Sequence, residues 1–198
     1  MSNIKWSNII EKRKEIERLF LEHIEELSEG ELEKEDWEEY EAIPGATEEE
    51  LQALEEQFQI VLPDEFKELY RYKNGSGFIN LLWPQEDLEC GYRLLSLQEM
   101  IKIKSYFQNE TREMTEFPEI IEEAQLQQLD SRIKPYLFCE RWFPFAEYEG
   151  SLYLMLDYDP SEKGETGQII CYVHDPDFIY YIARNLTEVL EMTESVLA

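Results

Sequence analysis

Asp157, Asp159 and Glu162 sit at near-alternate positions, the spacing with which an acidic loop offers oxygen ligands to calcium. The stretch departs from such a loop at two places, because the sixth residue from Asp157 is Glu162 rather than Gly and the twelfth is Gln168 rather than Glu. A hairpin turn is the simpler reading, and no metal or cofactor is expected. A second cluster runs Trp83-Pro84-Gln85-Glu86-Asp87-Leu88-Glu89-Cys90-Gly91-Tyr92. As a loop it would present Glu86, Asp87 and Glu89 beside Trp83 and Tyr92, carboxylates next to aromatic anchors of the kind that hold protein partners. The simpler reading is an ordinary strand connection with Trp83 and Tyr92 in the core.

The remaining chemistry-bearing residues form no catalytic constellation. His174, before Asp175-Pro176, reads as a capping or packing residue, and His23 lies among glutamates in a helix. Ser76 in Gly75-Ser76-Gly77 is no nucleophile elbow, and Gly164-Glu165-Thr166-Gly167 lacks the Gly-Lys-Ser/Thr ending of a phosphate loop. Cys90, Cys139 and Cys171 are far apart and odd in number, so they fit neither a disulfide framework nor a zinc site. Carboxylate pairs are too abundant to single out a general acid and base. The expectation is a protein that is not an enzyme.

The charge balance narrows the partners. With 45 Asp and Glu against 18 Lys and Arg, the 198-residue chain carries a formal charge of −27. Nucleic acid and anionic membrane are excluded, since both demand clustered cations. A basic protein partner is favoured, although such charge also serves solubility alone. Aromatics make up 13% of the chain, which argues for a packed core rather than a disordered acidic tail. The N-terminus lacks the apolar region of a signal peptide, the longest apolar cluster, Phe78 to Trp83, is too short for a membrane span, and the cysteine usage suits a reducing compartment. A cytoplasmic location is expected.

The elements that would position these residues can be placed. Trp6, Ile9, Ile10, Ile16, Leu19, Phe20, Ile24 and Leu27 give helical spacing over 5–29, with Gly30 as a stop. Glu22 to Glu41 holds 11 acidic residues and one basic residue, Lys34, as an acidic helix or linker that rests Trp37 and Tyr40 on the main body. Thr47 and Glu50 form a capping box ahead of a helix bearing Leu51, Leu54 and Phe58. Pro63 opens another helix, with Phe66, Leu69 and Tyr70 on one face and Asn74-Gly75 as its stop. Phe78–Trp83 and Tyr92–Leu95 read as short strands, and Ser96 with Glu99 caps a helix to about Tyr106. Residues 108–134 are polar, with a helix expected over Glu119–Leu129. Four strands follow, at Trp142–Ala146, Ser151–Asp157, Gly167–His174 and Phe178–Ala183. Asn185 with Glu188 opens a closing helix. Helices first, then a meander and a last helix make the fold class α+β.

The order of these segments resembles the SUKH superfamily. Ile43-Pro44-Gly45-Ala46-Thr47, Leu62-Pro63-Asp64-Glu65-Phe66, Tyr72-Lys73-Asn74-Gly75 and Leu94-Leu95-Ser96-Leu97 are similar to its opening part. Trp142-Phe143-Pro144-Phe145-Ala146, Tyr153-Leu154-Met155-Leu156-Asp157-Tyr158-Asp159-Pro160, Gly167-Gln168-Ile169-Ile170 and His174-Asp175 are similar to its later strands and hairpin, and Asn185–Glu191 to its closing helix. The resemblance covers about 42–192 and implies a SUKH-like fold: N-terminal helices, a central, mainly antiparallel sheet and a closing C-terminal helix. It divides the chain into an acidic helical extension, 1–41, and a SUKH-like (Smi/Knr-like) domain, 42–198.

The superfamily includes bacterial immunity proteins, which bind and neutralise polymorphic toxins, and fungal cell-wall-assembly regulators. The resemblance therefore implies a non-enzymatic immunity protein whose partner is a cognate toxin. A nuclease-type toxin carries a basic cleft, which an acidic surface can occlude. The residues expected at that interface are Trp83, Glu86, Asp87, Glu89, Tyr92, Asp157, Asp159 and Glu162. The alternative is a regulatory protein-binding scaffold.

Overall fold

The computed structural model describes residues 7–24, 32–84, 91–107, 110–175 and 177–198. The chain divides into two compact units, one formed by 1–97 with 186–198 and the other by 98–185. The elements show the expected class, α+β, with N-terminal helices, antiparallel strands and a closing C-terminal helix.

The first unit holds α1 (Ser7–Glu22), α2 (Lys34–Glu41), α3 (Glu48–Phe58), α4 (Asp64–Tyr72), a hairpin of β1 (Asn80–Leu82) and β2 (Tyr92–Leu94), and α7 (Leu186–Leu197). Helix α1 buries Ile9, Ile16, Leu19 and Phe20, the stripe that the helical spacing picks out, and packs on α4 and α7. Gly30 lies outside the described residues. Trp37 and Tyr40 of α2 rest on that core, with Trp37 stacked 6.0 Å from Phe20 and Tyr40 buried. The capping box of α3 is present: Thr47 Oγ1 accepts from Glu50 N–H at 3.2 Å, and Thr47 N–H donates to the Glu50 carboxylate at 2.8 Å.

Two helix ends differ in detail from expectation. Pro63 stands one residue before α4 rather than inside it. That helix ends at Tyr72, with Lys73 extended, because the Lys73 ammonium turns inward to the carbonyls of Tyr40 and Glu41, both 3.1 Å away. At the start of α7, Leu186 N–H donates to Glu65 Oε1 (2.7 Å) and the Thr187 hydroxyl to Glu65 Oε2 (2.9 Å). A carboxylate from α4 thus neutralises the positive end of α7.

The second unit begins within α5 (Leu97–Lys104). It continues through β3 (Arg112–Glu113), a 3₁₀ turn (Met114–Glu116), α6 (Glu123–Gln128) and β4 (Tyr136–Phe138) to a meander of β5 (Trp142–Tyr148), β6 (Leu152–Asp157), β7 (Gln168–Val173) and β8 (Phe178–Ala183). Neighbouring meander strands pair antiparallel, with Trp142 opposite Asp157, Asp157 opposite Gln168, and Cys171 opposite Tyr180. Strands β5 and β7 are buried over most of their length, which is why they read as continuous apolar runs. Trp142, Met155, Ile170, Tyr172 and Ile179 build the core with Met114, Ile121, Ile133 and Leu137. The helix expected over 119–129 is shorter, because 114–121 forms tight turns around Pro118. The β3–β4 ribbon is an addition that the sequence reading lacks.

Candidate partner-binding site

The acidic turn lies in the second unit, between β6 and β7. Asp157 is wholly buried, and its carboxylate accepts from Asp159 N–H and from Gln168 Nε2–H, both at 2.9 Å. Burial pushes its pKa up, against these hydrogen bonds. Gln168 also donates to the carbonyl of Arg132 at 3.0 Å, and Ser161 N–H reaches the same carbonyl at 3.1 Å. A Cβ on Gly164 would lie 2.4 Å from that oxygen, so a close approach of two backbones explains the glycine.

Asp159 is partly exposed and pairs with Lys134 at 2.5 Å, whereas Glu162 is exposed. The three carboxylates therefore divide into a buried pin, a paired group and a surface group. Among the described residues no cluster of three or more His, Cys, Asp or Glu could hold a metal ion.

Trp83 and Tyr92 lie in the first unit, 5% and 1% exposed. Trp83 N–H donates to Thr193 Oγ1 of α7 at 2.9 Å, and its ring lies 5.9 Å from Phe20. Their interior placement follows from the short hairpin, whose inward positions are filled by apolar side chains. Glu86, Asp87, Glu89 and Cys90 lie outside the described residues. The structure thus brings Asp157 and Asp159 together, leaves Glu162 at the surface, and puts both aromatics inside.

The other chemistry-bearing residues have structural partners. Ser76 is fully buried, its hydroxyl donating to Ile79 O and accepting from Leu94 N–H, both at 2.7 Å. His174 Nδ1 lies 2.9 Å from Asp177 Oδ1, which also accepts from the Tyr172 hydroxyl at 2.6 Å. Cys139 and Cys171 are buried thiols, with Cys139 Sγ accepting from the Thr111 hydroxyl at 3.8 Å.

One surface feature escaped the sequence reading. Tyr106, Phe107, Glu110, Arg112 and Phe138 line a groove of about 260 Å³ in the second unit. Tyr106 is 68% exposed. Phe107 stands edge-on to Tyr153 (5.5 Å) and Tyr172 (5.3 Å), and Phe138 sits edge-on to Phe117 at 6.2 Å. Arg112 is the register partner of Phe138 and pairs with Glu116 at 2.8 Å. The signal available in the sequence was the Tyr106-Phe107 doublet at the end of an amphipathic helix. Its meeting with Phe138 depends on a ribbon too short to show a period.

These elements can be set beside known families. The sequence profile of the SMI1/KNR4 family (SUKH-1) matches residues 45–192, from just before α3 into α7. The chain belongs to the SMI1/KNR4 (SUKH-1) family. No curated protein gives a match. The family includes immunity proteins and cell-wall regulators, is typically non-catalytic and typically binds protein partners. In this SUKH-1 chain α1 and α2 precede the matched segment, while the acidic turn and the aromatic groove fall inside it. Among the described residues no helix is long and apolar enough to cross a membrane.

Proposed function

We propose that this SUKH-1 protein is a cytoplasmic immunity protein that neutralises a basic, nuclease-type toxin by covering its cationic cleft with carboxylates. The observation that carries the reading is where the chain's own cations go. Arg71 is held by Glu48 and Glu68, Lys134 by Asp159, and Arg13 by Glu17. Lys73 and Lys104 are turned to main-chain carbonyls. With these cations engaged by partners of their own, the excess of 45 Asp and Glu over 18 Lys and Arg leaves a strongly anionic protein. Such a surface accelerates encounter with a cationic cleft and sets its register. In this reading Glu162 and the part-exposed Asp159 contribute, together with Glu86, Asp87 and Glu89.

The test is to capture partners from the native host on the immobilised protein, elute with a salt ramp, and assay the eluted protein for nuclease activity with and without added chain. The expected result is one basic partner that survives moderate salt and is inhibited at equimolar ratio. Neutralising Glu86, Asp87, Glu89, Asp159 and Glu162 should weaken that complex. A captured nuclease that keeps full activity, or an affinity indifferent to those changes, overturns the proposal. Several partners lost together at low salt would favour the regulatory scaffold instead.

A further inference from the structure

We infer that the groove lined by Tyr106, Phe107, Glu110, Arg112 and Phe138 is a receptor for one arginine side chain of a basic protein partner. The inference rests on the proposed binding of a basic protein and names where such a partner is gripped. Three of the groove's five lining residues are aromatic, and the face of an aromatic ring attracts a guanidinium through its quadrupole. The floor is already ordered, because Phe107 and Phe138 are locked edge-on against Tyr153, Tyr172 and Phe117, so little side-chain entropy remains to be lost there on binding. Tyr106 supplies an exposed wall that a ligand would cover.

The charge at the groove favours a cation despite Arg112. That guanidinium lies 5.0 Å over the Phe117 ring, is bonded to Glu116 at 2.8 Å, and has Glu110 at 3.9 Å. Two carboxylates therefore face one guanidinium, and the Glu110 side chain is 72% exposed. Among these three side chains the balance is one negative charge, on a chain of net charge −27. Aromatic faces with an acceptor at the rim suit arginine, whose planar cation stacks and donates in one plane. A volume of about 260 Å³ suits a single long side chain rather than a whole helix.

The test uses the full chain and acetyl-Gly-Arg-Gly-amide, with the citrulline peptide as its uncharged counterpart, in about 0.15 M salt, where diffuse attraction is screened beyond about 8 Å. Aromatic NMR signals of Tyr106, Phe107 and Phe138 should shift saturably with the arginine peptide. Binding should weaken about fivefold with citrulline, and by a similar factor in Tyr106→Ala and in Glu110→Gln. Both altered side chains are exposed, and the unchanged signals of β5–β8 report that the fold persists. Shifts scattered over the acidic surface without saturation, or binding by both variants as tight as by the unaltered chain, overturn the inference.

Against a captured basic nuclease, the two variants should dissociate about tenfold faster, as loss of an anchor residue does. Unchanged dissociation with intact neutralisation removes the groove and leaves the immunity reading standing. Saturable peptide binding by a chain that inhibits no basic protein does the reverse.

Discussion

Arg13 is fully buried, and its guanidinium is held by Glu17 (3.1 Å) and the Tyr40 hydroxyl (2.9 Å), with Nη1 left unpaired. Glu17 also accepts from Tyr40 and Tyr72, so one carboxylate joins α1, α2 and α4. Removing it strands a buried cation. Glu17→Ala should lower unfolding free energy by about 3–5 kcal/mol in urea titrations. A second buried cation sets a pH dependence. Lys104 donates to Glu140 O at 2.6 Å, yet burial pushes its pKa down to about 8, against about 10.4 in an unfolded chain. Between those values the unfolded chain binds more protons than the native one, so stability rises with pH. The expected measurement is a gain between about pH 8 and 9.5 that Lys104→Met flattens; the buried tyrosines, with raised pKa, act at higher pH and with the opposite sign. At this scale the sequence was a poor guide. Asp157 and Glu162 are both carboxylates of one motif, and only packing made one a buried pin and the other a surface group.

Elements were far more legible. Strand β8 falls at Phe178–Ala183 as expected, and β5, β6 and β7 agree within a residue or two, because buried strands must be apolar and their turns polar. The capping box of α3 was readable for a local reason, since Thr47 and Glu50 satisfy each other's backbone donors. The β3–β4 ribbon was not, as strands of two and three residues carry no period. Neither was the contribution of α1 to the core, which depends on faces of α4 and α7 distant in the chain. Lys12 extends that contact, with Glu191 and Glu194 at 3.4 and 3.3 Å. Deleting residues 1–24 should uncover those faces, and calorimetry should then show loss of a single cooperative transition and increased dye binding to exposed apolar surface.

For the whole molecule the governing quantity is the charge of −27, which acts at long range and is screened by salt. Association with a basic partner should slow at least about tenfold between roughly 0.05 and 0.5 M salt, while dissociation changes little; stopped-flow mixing measures both. Net charge, the α+β class and membership of the SUKH-1 family were determined by the sequence itself, since composition, periodicity and ordered motifs are properties of the chain in one dimension. Whether a side chain reaches solvent was decided only by tertiary structure. Trp83 and Tyr92 went inside because the β1–β2 hairpin needs apolar side chains against the core of the first unit. Arg112 and Phe138, 26 positions apart in sequence, line one groove because β4 pairs with β3. Burial and adjacency are relations between distant segments, and free energy assigns them when the chain packs.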